Sequence, residues 1–285
     1  MRKNVIILFF YTLVLLAIPL FFYLIKPEVV ETLSPPIQTK KIITPTPYIF
    51  SNYNQYKVPQ KDVYKIAMIG DSMTAALGPH GGGMSEFMNE KYKSSATTQR
   101  IIIDNYAVSS NILSVGEQID KRVTRSEYIF GPLIAESYDV ILIESFGYNP
   151  LSEFGIDEGI KKQNEALDSL MTKLTQEKSS SVIIFITTIA PNIATFGAST
   201  QKTNTLEDRK KQAEERVAYL KNHNEYAKKH NIPLLNIYEK TLTENGDGNT
   251  KYINPTDDIH PSVLGITFIG EEIGNYIYDN NILIP

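Results

Sequence analysis

The chain has 285 residues, a net charge of -4, 42% hydrophobic and 21% charged residues, and no cysteine. That size holds one large domain or two small ones with a proper core. The missing cysteine excludes disulfides, thiolate metal sites and a cysteine nucleophile, and the acidic balance provides no basic surface for nucleic acid.

After Met1-Arg2-Lys3-Asn4 comes an uncharged apolar run from Val5 to Ile25. A helix of roughly 20 residues crosses a bilayer core of about 30 Å, so this run is long enough. Arg2 and Lys3 precede it and Lys26 alone follows closely, which favours an inside N-terminus. A cleaved signal peptide is the alternative, but the run ends in Tyr23-Leu24-Ile25-Lys26-Pro27 without a small-residue cleavage site. The reading is a single-pass anchor over residues 1–26 with the globular part outside the cytoplasm. Residues 27–60 carry Pro35-Pro36 and Thr44-Pro45-Thr46-Pro47. Proline removes donors and favours extended chain, so this segment reads as a stalk.

The globular part is expected over residues 61–285. Five apolar runs, Tyr64–Ile69, Arg100–Tyr106, Asp139–Phe146, Ser181–Ile189 and Pro233–Ile237, are rich in Ile, Val and Leu. They read as strands buried on both faces. Helical patterns lie between and after them: Met84–Tyr92, Ile112–Thr124, Asp157–Gln176, Thr205–His230 and Ser262–Tyr278. Strands alternating with helices predict an α/β fold, a flavodoxin-like three-layer α/β/α sandwich on a five-stranded parallel sheet. Such sheets bind ligands beyond the carboxyl ends of their strands. Polar clusters fall there: Gly70-Asp71-Ser72, Asn105 to Asn111, Gly147-Tyr148-Asn149-Pro150, and Asp257 to Pro261 before the last helix.

A serine hydroxyl needs a neighbouring base to become a nucleophile, and the chain has four histidines. His223 and His230 lie in a polar helical stretch and read as solvated surface. His80, in the Pro79-His80-Gly81-Gly82-Gly83 loop, is close behind Ser72 but has no acid near it to orient it. His260 has Asp257 three residues before it, placed to hold the ring N–H and stabilise the imidazolium. Ser72 as nucleophile, His260 as general base and Asp257 as orienting acid form the expected triad. Asp71 reads as a cap or loop support. Gly81-Gly82-Gly83 lacks a following G-K-[ST] and reads as a flexible lip rather than a phosphate loop. The segment from Ala190 to Asn204 is expected to border the site, and the Lys/Glu-rich run from Glu207 to Lys229 to be a solvated helix face.

These residues resemble the SGNH hydrolases, the GDSL-like esterases and lipases. Gly70-Asp71-Ser72 matches the first block, with Met73 for the usual Leu. Gly147 and Asn149 match the third, with Pro150 for the usual Asp, and Asp257 to Pro261 match the last. In the second block Asn105 is present, and Ser110 stands where the family has glycine. The resemblance spans about Val63 to Tyr278. It implies a serine esterase acting through an acyl-enzyme, with an oxyanion hole from the Ser72 and Ser110 backbone N–H groups and the Asn149 side chain, and with no metal or cofactor. The expected substrate is a carboxylic ester, such as an O-acetyl group on a cell-envelope glycan, or a lipid ester. An O-acyltransferase and a catalytically idle binding domain are the alternatives.

Overall fold

The structure, a computed structural model, describes residues 57–93, 99–201 and 204–284. The chain divides into two compact units, residues 1–44 and 45–285. The first unit lies outside the described residues, and with it the expected anchor and most of the expected stalk. Among the described residues no helix is long and apolar enough to cross a membrane.

The main sheet has five parallel strands: β1 (Val63–Ile69), β2 (Arg100–Asn105), β5 (Val140–Glu144), β6 (Val182–Ile186) and β7 (Leu234–Leu235). Their order is β2-β1-β5-β6-β7, so the chain starts near the middle of the sheet and winds outward both ways. Successive side chains in a strand point to opposite faces. Ile66, Met68, Ile101, Ile103, Leu142 and Ile184 therefore share one core. Ala67, Ile69, Ile141, Ile143, Ile183 and Phe185 share the other. The first face is covered by α2 (Met84–Tyr92) and α7 (Val263–Asp279), through Met88, Tyr92, Ile269, Ile273 and Ile277. A Cβ on Gly274 of α7 would come within 2.7 Å of the Phe87 ring, so glycine allows the two helices to approach. The second face is covered by α4 (Ile156–Glu177) and by much of α5 (Leu206–Lys229). In α4, Leu167, Leu170, Met171 and Leu174 repeat at helical spacing and are buried. In α5, Thr205 and Asp208 close a capping box at the start.

Two expectations are corrected. Ile112–Thr124 is not a helix. It makes a 3₁₀ turn (Ile112–Ser114), one helical turn α3 (Gly116–Ile119), and the first strand of a small antiparallel hairpin, β3 (Val123–Arg125) and β4 (Tyr128–Phe130). The β-branched pair Val123-Thr124 suits a strand, and Ser126 turns the chain with φ 53°. At Gly81-Gly82-Gly83 all three glycines have positive φ, and a Cβ on Gly82 would meet Ile266 at 2.5 Å. His223 and His230 are buried, not solvated. The charged face of α5 does carry surface pairs such as Lys211–Glu207, but its other face packs on the sheet. His223 stacks on Phe185 at 4.3 Å and donates from Nε2 to the Ile143 carbonyl at 3.3 Å, and His230 stacks on Tyr226 at 4.3 Å.

Burial lowers the His223 pKa from its ordinary 6.5 to about 3. As the pH falls from 6.5 toward 3, the unfolded chain takes up this proton and the folded chain does not, so stability falls by up to about 1.4 kcal/mol per pH unit. A His223→Phe variant is expected to lose this slope. Thermal unfolding across that range checks it, and parallel curves for the two proteins would refute the burial argument.

Candidate active site

The hydrophobic strand β1 ends at Gly70 because the chain must turn sharply there. A Cβ on Gly70 would sit 2.7 Å from Glu144 Cβ and 2.7 Å from Thr74 Oγ1. Asp71 is the N-cap of the single-turn helix α1 (Ser72–Ala75), its Oδ1 accepting from Met73 N at 2.8 Å. With only one turn the helix dipole adds little, and what remains at the site is the local amide itself. Ser72 is half-buried at the carboxyl edge of the sheet, and among the described residues nothing takes its backbone N–H. The turn is locked from three sides. Gln118 on α3 bonds both polar groups of the Gly70 backbone, accepting from N at 3.0 Å and donating to O at 2.8 Å. Asn105 donates from Nδ2 to Thr74 O and Gly78 O, each at 2.8 Å, which holds the chain behind Ser72. Asp71 Oδ2 accepts from Tyr148 N at 3.0 Å and ties the turn to the loop after β5.

That loop carries Asn149. Phe146, at φ 55°, bends it out of the strand, a left-handed conformation that a bulky residue adopts only when its surroundings impose it. The Asn149 amide lies beside Asp71 and helps hold its negative charge, yet Nδ2 is buried with no hydrogen-bond partner, so the contact is electrostatic rather than a formed bond. A buried donor left unpaired costs free energy, and the Asn149 Nδ2 is such a donor.

The fourth cluster is a closed turn. Asn254 N donates to His260 O at 2.8 Å, and Asp258 N to Asn254 O at 2.8 Å. Asp257 Oδ1 accepts from the backbone N of Ile259 at 2.8 Å and of His260 at 2.9 Å. Its Oδ2 accepts from His260 Nδ1 at 2.9 Å. Burial works to raise the Asp257 carboxyl, but these bonds outweigh it and hold the group below its ordinary range. The ring N–H at Nδ1 is thereby fixed and Nε2 is left to act. Ser199, on the segment after β6, clasps Asp258 through its N at 2.9 Å and its Oγ at 2.5 Å, so the Ala190–Asn204 segment borders this turn. Ser72 Oγ makes no hydrogen bond to His260 in this structure.

Two candidates stand apart. Ser110 N donates to Val108 O at 2.7 Å, so its N–H is spent in a tight turn and is not free to meet an oxyanion. His80 donates from Nδ1 to Ile103 O at 3.0 Å and packs edge-on against Tyr128 of the hairpin at 4.5 Å, which pins it as a loop clasp. Asp71 has the supporting role expected of it. Sequence reasoning missed Gln118 and Glu144. A carboxylate closing the apolar strand Val140–Glu144 was a readable signal; nothing around Gln118 was.

The model of the family GDSL-like lipase/acylhydrolase matches residues 66–273. No curated protein matches the chain in sequence. Among solved structures the chain is similar to a protein assigned as a GDSL-like lipase from Parabacteroides merdae, with 14% identity, 79% of this chain and 98% of that one covered, and a TM-score of 0.50. It is also similar to an acetyl xylan esterase (15% identity, 73% and 97% covered, TM-score 0.49). A third is a variant acetylxylan esterase from Geobacillus stearothermophilus (15% identity, 78% and 95% covered, TM-score 0.48). At these identities the likeness is one of fold.

Replacing Gln118 with Ala strips both partners from the buried Gly70 amide and carbonyl. The expected loss is about 1–3 kcal/mol, read as a lower urea midpoint. An unchanged midpoint would show that Gln118 does not hold the turn.

Proposed function

Because the chain belongs to the GDSL-like lipase/acylhydrolase family, and is thereby a serine ester hydrolase, we propose that Ser72 is its nucleophile, His260 its general base and Asp257 the residue that orients the base. The observation that carries this is the Asp257–His260 pair, whose carboxylate takes two backbone N–H groups and the ring N–H at 2.8 to 2.9 Å. That arrangement serves a histidine that must accept a proton at Nε2 and carry positive charge briefly. Ser72 Oγ attacks the ester carbonyl carbon while its proton passes to His260 Nε2. The carbonyl π pair moves to oxygen, and the resulting oxyanion is met by the Ser72 N–H and Asn149 Nδ2, both without partners in the resting protein. Collapse expels the alcohol, which leaves with the His260 proton. Water then attacks the acyl-enzyme by the same route and releases the acid. The Ser72–His260 hydrogen bond is closed by substrate, as catalytic contacts often are. Ser110 joins the oxyanion hole only when its turn to Val108 opens.

The substrate reading is an O-acyl ester, most simply O-acetyl, on a cell-envelope glycan. It rests on the apolar run at Val5 to Ile25 and the proline-containing stalk, which tether the globular part over residues 61–285 to a membrane outside the cytoplasm.

Ser72→Ala is expected to abolish labelling by a fluorophosphonate probe and ester hydrolysis together; equal labelling of both proteins would sink the nucleophile assignment. Asn149→Ala should lower kcat by about 10²–10³-fold with little change in KM. Wild-type protein is expected to release acetate from acetylated envelope glycan faster than it cleaves longer acyl esters. In membrane fractionation, a shortened soluble product would replace the anchor with a cleaved leader.

A further inference from the structure

Against the Gly70-Asp71 backbone that leads into Ser72 lies a carboxyl group that the mechanism above does not use. Glu144 ends β5 beside Gly70, and both Glu144 and Asp71 are fully buried. Glu144 Oε2 accepts from Asp71 N at 3.2 Å and from the N–H of the strained Phe146 at 3.1 Å. Its Oε1 meets the Ser145 hydroxyl. One carboxyl group thus holds the backbone of both walls of the site: the turn that carries Ser72 and the bend that presents Asn149. Asp71 completes the brace from the other side through Met73 N and Tyr148 N.

We infer that Glu144 is a positioning residue that works in its protonated form, sharing one proton with the Asp71 carboxylate so that the Ser72 turn and the Asn149 loop are held in register. The inference rests on the roles proposed for Ser72 and Asn149. Two buried carboxyl groups, one of which accepts from the other's own backbone N–H, cannot both ionise without a cation between them. The charged and titratable groups around the pair are Tyr148 on the same loop and Arg216 and His223 on α5, while Gln118 on α3 is neutral. Tyr148 stays a neutral phenol, since burial and then Asp71 push it well up. His223 is kept neutral by burial. Arg216 acts on Asp71 from a distance and is half-committed to Glu215. Among the described residues, therefore, no cation bonds either carboxyl group. Asp71, with its two N–H donors and the Asn149 amide, is the better anion. Burial and then the Asp71 charge push Glu144 up further, so it keeps the proton. A second negative charge here would stand directly behind the forming oxyanion and oppose it.

The test combines infrared spectra and kinetics. A buried protonated-carboxyl band is expected in wild-type protein and absent in Glu144→Gln. With a soluble acetyl ester, Glu144→Ala should lower kcat at least 30-fold with KM within threefold. Glu144→Gln, whose amide supplies both a donor and an acceptor, should recover kcat to within about fivefold and should flatten the alkaline fall of kcat expected of wild-type protein. A carboxyl band that persists in Glu144→Gln, or an alkaline limb that is the same in both, overturns the shared proton. If Glu144→Ala does not fold, a kcat for Glu144→Gln that is as low as that of Asn149→Ala overturns it equally. The band is read without turnover, so it separates failure of this inference from failure of the Ser72 assignment, which the labelling of Ser72→Ala decides.

Discussion

The site depends on one buried carboxylate. Asp71 caps the turn behind Ser72 through Met73 N and reaches across to Tyr148 N on the neighbouring strand's loop. It therefore couples two segments 77 residues apart in sequence. Without that tie, Ser72 and Asn149 would be set by independent loops. Catalysis of acyl transfer needs donors fixed to fractions of an ångström, and separate loops do not supply that. The burial that makes this tie rigid also makes it costly, and Glu144 meets the cost by bonding the Asp71 N–H and by sharing its proton.

The same logic explains the neighbouring polar groups. Gln118 and Asn105 are buried among apolar side chains, where a polar group must be satisfied to be tolerated. Each satisfies backbone atoms that the sharp turn after β1 would otherwise leave open. The histidine turn is built separately, from Asn254 and Asp257 beneath and Ser199 across. The Ser72 turn thus sits on a rigid floor formed by the sheet, and the Asp257–His260 turn is self-contained.

Much of the fold was legible because parallel strands covered on both faces need apolar residues at nearly every position. The runs at 100–106, 139–146 and 181–189 contain their strands, and β1 begins one residue before the run at 64–69. The stretch at 112–124 failed because its apolar spacing fits a helix, while Val123-Thr124 leaves it for a strand. Local pattern cannot weigh that spacing against the pull of a hairpin partner at Tyr128–Phe130. His223 and His230 were misread for a related reason. Their neighbours in sequence are charged, but the face of α5 that meets the sheet is decided by packing.

The sequence by itself determined the chemistry available: a serine after the first strand, a histidine with an aspartate three residues before it, an asparagine after the third strand, and no thiol. Short-range geometry suffices for that, since a turn places residues three apart within reach of each other. Only the tertiary structure decided which groups act on one another across the sheet. It closed the Ser110 N–H onto Val108, pinned His80 to Ile103, and set Glu144 beneath Asp71. Those pairings depend on strand register and on burial, which a single sequence does not express.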